Sequence, residues 1–250
     1  MFGFCGEKMN KPYVEDISFK LLLSDIRTGD YTHPGDEDAI ELVISHLEIS
    51  ENSSILDVGS GLGGTADYLS RYGETTGIDF DENCIKHAQK NYKEVPFHHL
   101  DAHKLHTIFP SNQFDIFTLF SSFCFFENQA LACLEMANVA KNGAQLAIFD
   151  YSSHLDNHVH PFNQQLMFEP LKKQTIEKVL GPWQLKEFID LTGYYVEQYT
   201  SIVEKIEGKK DYLIDKFGTP AYTDVHSSFT SLIETFGQSG GALVIATLEK

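Results

Sequence analysis

A glycine-rich segment, Asp57-Val58-Gly59-Ser60-Gly61-Leu62-Gly63-Gly64, lies where a predicted strand becomes a predicted helix. Glycines are needed at such a junction when the chain turns sharply and its backbone must approach a ligand without intervening Cβ atoms. Asp79 lies at the end of the next predicted strand. A carboxylate at this spacing can accept hydrogen bonds from both hydroxyls of a ribose. The loop and the acid together predict a site for a ligand that contains a nucleoside.

The glycine spacing by itself fits more than one ligand of this kind. Gly59, Gly61 and Gly64 match the dinucleotide-binding fingerprint, which leaves an NAD(P)-dependent oxidoreductase as an alternative. Asp57 adds a further element, because the pattern Asp-x-Gly-x-Gly-x-Gly resembles the first motif of class I S-adenosylmethionine-dependent methyltransferases. A non-catalytic protein that binds S-adenosylmethionine is a third possibility.

Two later segments resemble the same methyltransferase family. His99-Leu100-Asp101-Ala102, after the third predicted strand, is similar to the family's adenine-binding acid, and Phe114-Asp115-Ile116-Phe117 resembles its fourth-strand motif. The resemblance runs from about residue 53 to residue 150 and, in strand order, through the last strand. It implies S-adenosyl-L-methionine as cofactor and a small-molecule acceptor.

The resemblance also implies a cofactor site. Its residues would be Asp57, Gly59, Ser60, Gly61, Asp79, Phe80, Asp101, Ala102 and Ser121. Within this set the first two loop glycines would contact the methionine part and Asp79 the ribose. Asp101 with its neighbour would contact the adenine, and Ser121 would close the pocket after the fourth strand.

The acceptor side is less clearly marked. Residues 29–36 are similar to the lid of small-molecule N-methyltransferases that act on glycine derivatives or phosphoethanolamine, so an amine nitrogen is the expected acceptor. Tyr31 is the candidate catalytic residue, with an exposed turn tyrosine as the alternative. Phosphoethanolamine methyltransferases carry a histidine beyond the fourth strand, and residues 121–129 contain none.

Methyl transfer needs the acceptor atom, the methyl carbon and the sulfur to be collinear and at close distance, and it needs no protein nucleophile.

Three phenylalanines and two groups of histidines could each have either a functional or a structural role. Phe123, Phe125 and Phe126 could face a methylated ammonium, but aromatic residues there are more often part of the core. The histidines fall into two groups, His98, His99, His103 and His106 in one and His154, His158 and His160 in the other. Metal sites usually also need a carboxylate or cysteine at compatible geometry, and these groups surround the adenine-binding turn and occupy a probable loop, so no metal site is predicted.

Charge and cysteine usage exclude several classes of protein. The 36 acidic and 19 basic residues give a net charge of −17, which disfavours a nucleic-acid partner. The four cysteines form no Cys-x-x-Cys pair, so neither a zinc site nor a disulfide framework is expected. No apolar run is long enough for a membrane span or signal peptide, so the protein is predicted to be soluble and cytoplasmic, without a membrane partner. No signal indicates an oligomeric state.

The order of predicted elements indicates an α/β fold with a doubly wound, Rossmann-like, seven-stranded sheet whose last strand is antiparallel. Strands are predicted at 54–58, 75–80, 97–100, 114–120, 144–150, 194–203 and 240–247. Helices are predicted at 12–25, 65–71, 82–91, 128–141, 170–180 and 183–191, within 204–236, and after Asp36, which is predicted to cap the second helix. One methyltransferase domain is expected. Its parts are a helical lid (1–50), a cofactor-binding core (51–150), and substrate-side inserts with the final strands (151–250).

Overall fold

Seven strands form one mixed sheet in the computed structural model, which describes residues 17–27, 29–154, 169–236 and 238–249. The strands are β1 (Ser54–Val58), β2 (Glu74–Asp79), β3 (Phe97–His99), β4 (Phe114–Phe120), β5 (Ala140–Ser153), β6 (Gln184–Asp190) and β7 (Ser239–Thr247). Their order is β3-β2-β1-β4-β5-β7-β6, and β7 runs antiparallel to both of its neighbours. The predicted fold class is confirmed.

Helices cover both faces of this sheet. The described helices are α1 (Ile17–Ile26), α2 (Asp36–Ile44), α3 (Gly64–Leu69), α4 (Glu82–Asn91), α5 (Gln129–Val139), α6 (Ile176–Leu180), α7 (Thr192–Gly208), α8 (Lys210–Phe217) and α9 (Thr219–Thr235). Successive strand residues point to opposite faces. Ile55 therefore packs under α1, α2 and α7–α9, whereas Leu56 packs under α5 and α6. The helices of the predicted lid and helices α7–α9 of the predicted inserts thus share one face of the sheet, whereas α6 lies on the other.

The observed elements around the glycine loop agree closely with those predicted from the sequence. The bounds of β1 and β4 are as predicted, and Asp81 caps α4 by accepting a hydrogen bond from the backbone N–H of Asn83. Asp36 differs from its predicted role as a cap. It begins α2 itself, and its carboxylate accepts a 2.7 Å hydrogen bond from Arg27. The predicted start of the first helix, residues 12–16, lies outside the described residues.

The prediction was wrong in the C-terminal third. Residues 184–190, predicted as helix, form β6, and residues 194–203, predicted as strand, lie within α7. The register of β6 shifts between Leu185 and Glu187, and this irregularity interrupts the alternation of buried and exposed residues typical of a strand. In addition, α5 ends at Val139 and β5 begins at once, so β5 is longer than predicted, and α6 is shorter.

None of the helices in the described part of the chain combines the length and apolar character that crossing a bilayer requires.

Candidate functional site

A cavity of about 520 Å³ opens at the carboxyl ends of β1, β2 and β4. This is where ligands bind in open α/β sheets, and the volume lies within the range of roughly 300–1,000 Å³ of small-molecule sites. Its lining extends from residues after β3 to β5. That span crosses four inter-strand spacings, or about 19 Å. The cavity can therefore hold an elongated ligand, or two ligands end to end.

The glycine loop forms one wall of the cavity because its backbone is pinned to β2. The N–H groups of Gly59 and Ser60 both donate 2.8 Å hydrogen bonds to the carbonyl of Ile78. Gly59 has a φ of 82°, and a Cβ built on it would lie 2.5 Å from the Cβ of Ser122. Gly61 also lines the cavity with a positive φ, whereas Ser60 is buried behind the loop beside Gly77. Bare backbone thus faces the cavity.

Asp79 ends β2 with its carboxylate facing the same cavity, only 5% exposed. One oxygen accepts a 2.9 Å hydrogen bond from the N–H of Gly61, and the other accepts a 2.8 Å bond from the N–H of Asp81. A carboxylate has about four acceptor sites. The two backbone bonds fix its orientation and leave capacity for two further donors, which is what adjacent ribose hydroxyls require.

Asp57 lies beneath the loop and does not line the cavity. One carboxylate oxygen accepts a 3.0 Å hydrogen bond from the hydroxyl of Thr118, and the other has no partner among the described residues. Burial raises the pKa of Asp57 to about 7, the charge of Asp79 acts in the same direction, and the Thr118 bond opposes both. We expect Asp57 to influence the loop electrostatically rather than by contact.

The third strand leads into an apolar part of the cavity with an acidic rim. The lining of this part includes Leu100, Ala102 and Phe80, and Phe80 is 52% exposed. Asp101 accepts hydrogen bonds from the backbone N–H and the ring Nδ1 of His103, at 3.0 and 2.7 Å. Burial raises the pKa of Asp101, but the bonds from His103 outweigh it and hold that pKa below its ordinary value. The apolar lining can pack against the faces of a flat heterocycle, and the acidic rim can accept hydrogen bonds from its polar edge.

Ser121 directly follows β4 and lines the cavity. Its φ is 49°, a left-handed conformation that costs a non-glycine residue about 1–2 kcal/mol. Its backbone N–H is held by the carbonyl of Phe149 at 2.9 Å. Of the nine predicted cofactor residues, the cavity lining includes all except Asp57 and Ser60.

Sequence reasoning did not identify the individual residues at the other end of the cavity, which we call the aromatic chamber. Its residues are Phe19, Leu23, Phe120, Tyr151, Tyr199 and Phe229. They come from α1, β4, β5, α7 and α9, five elements far apart in the sequence. The rings of Phe19 and Phe229 stack with centroids 6.3 Å apart, and the hydroxyls of Tyr151 and Tyr199 share a short hydrogen bond. No local motif relates these residues to one another.

Tyr31, the predicted catalytic residue, is not among the residues that line the cavity. It is buried, and its hydroxyl donates a 3.1 Å hydrogen bond to Glu37. Burial and the neighbouring Glu37 carboxylate raise the pKa of Tyr31. Its hydroxyl thus stays protonated and engaged, and the catalytic role stays a prediction.

His33 is a buried residue that packs against the aromatic chamber through the ring of Phe120. Its ring lies 4.7 Å from that of Phe120, its Nδ1 contacts the carbonyl of Pro34, and its Nε2 lies 3.0 Å from the hydroxyl of Thr65. A carbonyl can only accept, so Nδ1 carries the proton and Nε2 accepts from Thr65. Burial lowers the pKa of His33 to about 4, and nearby Arg27 acts in the same direction.

The neutral state of His33 predicts a loss of stability in acid. Its folded-state pKa lies below the unfolded value of 6.5, so its contribution is present above pH 6.5 and is lost towards pH 4. The slope is up to about 1.4 kcal/mol per pH unit. Denaturant unfolding followed by the fluorescence of buried Trp183 measures it. The variant His33→Gln should lose this slope and partly exposed His46→Gln should keep it; equal slopes in both variants would contradict the assignment.

The other predicted histidines make local contacts. His106 pairs with Glu135 at 2.6 Å, His99 contacts the carbonyl of Phe80, and His98 packs on Phe109. Within the described ranges, no group of three or more potential ligands could hold a metal ion. His158 and His160 lie outside these ranges.

Comparison with known proteins gives matches centred on the cofactor end. Residues 56–148 match the family described as "Methyltransferase domain". Phosphoethanolamine N-methyltransferase of Plasmodium falciparum is 36% identical over 89 residues, 34% of this chain and 34% of that protein. Demethylmenaquinone methyltransferase of Listeria welshimeri is 29% identical over 116 residues, 42% of this chain and 48% of that protein. These matches thus span a third to a half of each curated relative.

The fold likeness extends further than the sequence likeness. Haemonchus contortus phosphoethanolamine N-methyltransferase 2, solved with phosphomonomethylethanolamine and S-adenosylhomocysteine, aligns with a TM-score of 0.84. At 18% identity, the alignment covers 94% of this chain and 58% of that one. The family match over residues 56–148 contains both the glycine loop and the acid that ends β2, so this part of the chain is a methyltransferase domain.

Proposed function

We propose that this protein transfers a methyl group from S-adenosyl-L-methionine to a small-molecule acceptor, with an amine nitrogen as the expected acceptor. One observation carries the proposal. The bare glycine backbone and the oriented carboxylate of Asp79 share a single cavity with the aromatic chamber. A nucleoside cofactor at one end would leave the chamber for the molecule that receives the methyl group.

The cofactor residues divide by the part of the ligand they would hold. Asp79 would accept both ribose hydroxyls, Gly59 and Gly61 would contact the methionine part, and Asp101 would contact the adenine at the rim. This division follows the order of β1, β2 and β3 in the sheet. It supports a cofactor whose reactive end points towards β4 and the chamber.

The chemistry requires positioning more than acid–base catalysis. When bound, S-adenosylmethionine supplies an electrophilic methyl carbon: the acceptor lone pair forms the new bond as the carbon–sulfur bond breaks, and that electron pair stays on sulfur. The chain itself must hold the acceptor in line and exclude water. Phe19 and Leu23 of α1 would do so by covering the cavity. A neutral amine needs no base before transfer, because the ammonium product releases its proton to water afterwards.

Calorimetry and labelled methyl transfer test this function together. S-Adenosylhomocysteine should bind with a dissociation constant in roughly the micromolar range, and labelled S-adenosylmethionine should methylate members of an amine, phenol and carboxylate panel. Tight NADH binding without a response to S-adenosylmethionine would select the oxidoreductase instead. Cofactor binding without turnover on any acceptor would select the non-catalytic binder.

The remaining sequence predictions enter this proposal unchanged. They are a single domain with a lid, a core and substrate-side inserts, a cytoplasmic location, and neither a nucleic-acid nor a membrane partner.

A further inference from the structure

The aromatic chamber is a mainly apolar space with one polar feature. Phe19, Leu23, Phe120 and Phe229 contribute hydrocarbon surface from several directions. The rings of Tyr199 and Phe229 lie 5.4 Å apart, so the wall is continuous between α7 and α9. The polar feature is the hydroxyl pair of Tyr151 and Tyr199. An occupant of this chamber must therefore present an apolar body and few polar atoms.

Positive charge is scarce around the cavity. Among the described residues that line it, Lys20 carries the one ammonium group, and this group donates a 3.2 Å hydrogen bond to the thiol of Cys84. Burial lowers the pKa of Lys20, but the negative charges of Asp79 and Asp81 outweigh it and raise that pKa. Lys20 is thus already balanced by acidic groups at the cofactor end.

His103 does not supply a free cation either. Its Nδ1 contacts Asp101 at 2.7 Å and its Nε2 contacts the carbonyl of Asn128 at 3.1 Å. Glu127 adds a further carboxylate to the lining. A phosphate monoester is bound by several cationic or amide donors. Among the described residues, none that lines the aromatic chamber is a cation, and Arg27, whose charge acts on Tyr199 from outside the lining, is paired with Asp36 at 2.7 Å.

The tyrosine pair suits a neutral nitrogen. Burial raises the pKa of Tyr199 to about 12, so its hydroxyl stays a neutral donor and acceptor. Burial in apolar surroundings also disfavours an ammonium relative to the free amine, and the free amine carries the lone pair that attacks the methyl carbon. After transfer, aromatic faces can stabilise a methylated ammonium.

We propose, on the basis of the proposed function, that the acceptor is an unphosphorylated amine with an apolar body, which packs in the aromatic chamber with its nitrogen at the Tyr151–Tyr199 hydroxyl pair. The Haemonchus contortus neighbour, whose structure contains phosphomonomethylethanolamine, has the same fold at 18% identity. The two proteins would thus share a cofactor site and differ in the acceptor chemistry they accept.

A matched pair of acceptors tests the exclusion of phosphate. Tyramine and O-phosphotyramine differ by one phosphate, and 2-phenylethylamine and phosphoethanolamine extend the comparison. The kcat/KM of tyramine should exceed that of its phosphate ester by at least about a hundredfold, because an unpaired dianion is costly to bury. Calorimetry on the protein saturated with S-adenosylhomocysteine should show binding of 2-phenylethylamine.

The variant Tyr199→Phe tests the polar anchor. It should raise the KM for the amine by about tenfold, as expected for one lost hydrogen bond, and leave the dissociation constant of S-adenosylhomocysteine unchanged. Tyr151→Phe removes the other hydroxyl of the pair and should have the same effect on the KM for the amine. Tyr194→Phe, on the same helix but outside the cavity lining, is the matched control and should behave as wild type.

Three results would overturn the inference: a higher kcat/KM for either phosphorylated acceptor, failure of every apolar amine to bind the S-adenosylhomocysteine complex, or an unchanged KM in both tyrosine variants. A protein that binds no S-adenosylhomocysteine at all would instead overturn the proposed function itself.

Discussion

Replacement of Asp79 by alanine is expected to weaken the binding of S-adenosylhomocysteine by at least about a hundredfold, since each hydrogen bond to a charged group contributes about 1.5–3 kcal/mol. The carboxylate is buried at the edge of the cavity with both oxygens aimed by backbone N–H groups. The substitution would remove the acceptors for the ribose and would also release the N–H of Gly61. Calorimetry with S-adenosylhomocysteine measures the effect.

Two further variants separate ligand contact from loss of structure. Asp79→Asn keeps the shape of the side chain and part of its acceptor capacity, so its affinity should lie between those of wild type and Asp79→Ala. Glu82→Ala removes a nearby exposed carboxylate that pairs with Lys86 on the surface of α4, and it should bind as wild type. Wild-type affinity in Asp79→Ala with an intact fold would be incompatible with the proposed cofactor site.

The cofactor end of the cavity was predictable because its determinants are local in the sequence. The loop Gly59–Gly64 and the acid Asp79 belong to consecutive elements, β1, α3 and β2, whose geometry follows from short-range patterns. Even the capping role of Asp81 could be inferred from its position before α4. A binding site made from adjacent elements needs little knowledge of the tertiary structure.

The two wrong elements show where local patterns fail. Leu185, Phe188 and Ile189 have the three- and four-residue spacing of a helix, yet they belong to the bulged strand β6, which pairs with β7. All three are half-buried, Leu185 and Phe188 against the core on one face of the sheet and Ile189 against the core on the other. In α7 the aromatic and β-branched residues favour a strand locally. Tyr195 and Tyr199 nevertheless pack as one helical face against the sheet, so tertiary burial overrides propensity.

The error in α7 also explains why the residues of the acceptor side were not identified from the sequence. Tyr199 reaches the cavity only because α7 lies across the sheet, opposite Tyr151 of β5. Phe229 comes from a third distant element, α9, and contacts Tyr199 there. A chamber formed by long-range packing leaves no spacing pattern in the sequence, whereas the cofactor loop does.

Substitution of the loop glycines should separate the two tasks of the loop, which are to fit its neighbours and to face the ligand. In Gly59→Ala the new Cβ would lie 2.5 Å from the Cβ of Ser122, whose hydroxyl is held by the carbonyl of Val58. The clash and the positive φ together should cost about 2–4 kcal/mol of unfolding free energy. The melting temperature should fall by roughly 5–10 °C, and cofactor binding should be lost.

Gly61→Ala should instead fold almost normally and fail to bind. Its φ of 53° lies in the left-handed region that other residues adopt at a cost of about 1–2 kcal/mol. The nearest atom to the new Cβ would be the hydroxyl oxygen of Thr32 at 3.4 Å, so the methyl group would stand in the cavity. Affinity for S-adenosylhomocysteine should drop at least about tenfold, because the ligand must give up contact with the backbone.

Gly143→Ala is the matched control for both variants, since Gly143 has a φ of 78° and, apart from its chain neighbours, no described residue has an atom within 4 Å of an added Cβ. It lies outside the cavity lining and therefore reports the conformational cost alone. The three melting temperatures should rank Gly59→Ala well below the other two, while affinity should be retained only in Gly143→Ala. If Gly61→Ala bound S-adenosylhomocysteine as tightly as Gly143→Ala, the ligand could not lie against this loop, because the methyl group would occupy the space assigned to it.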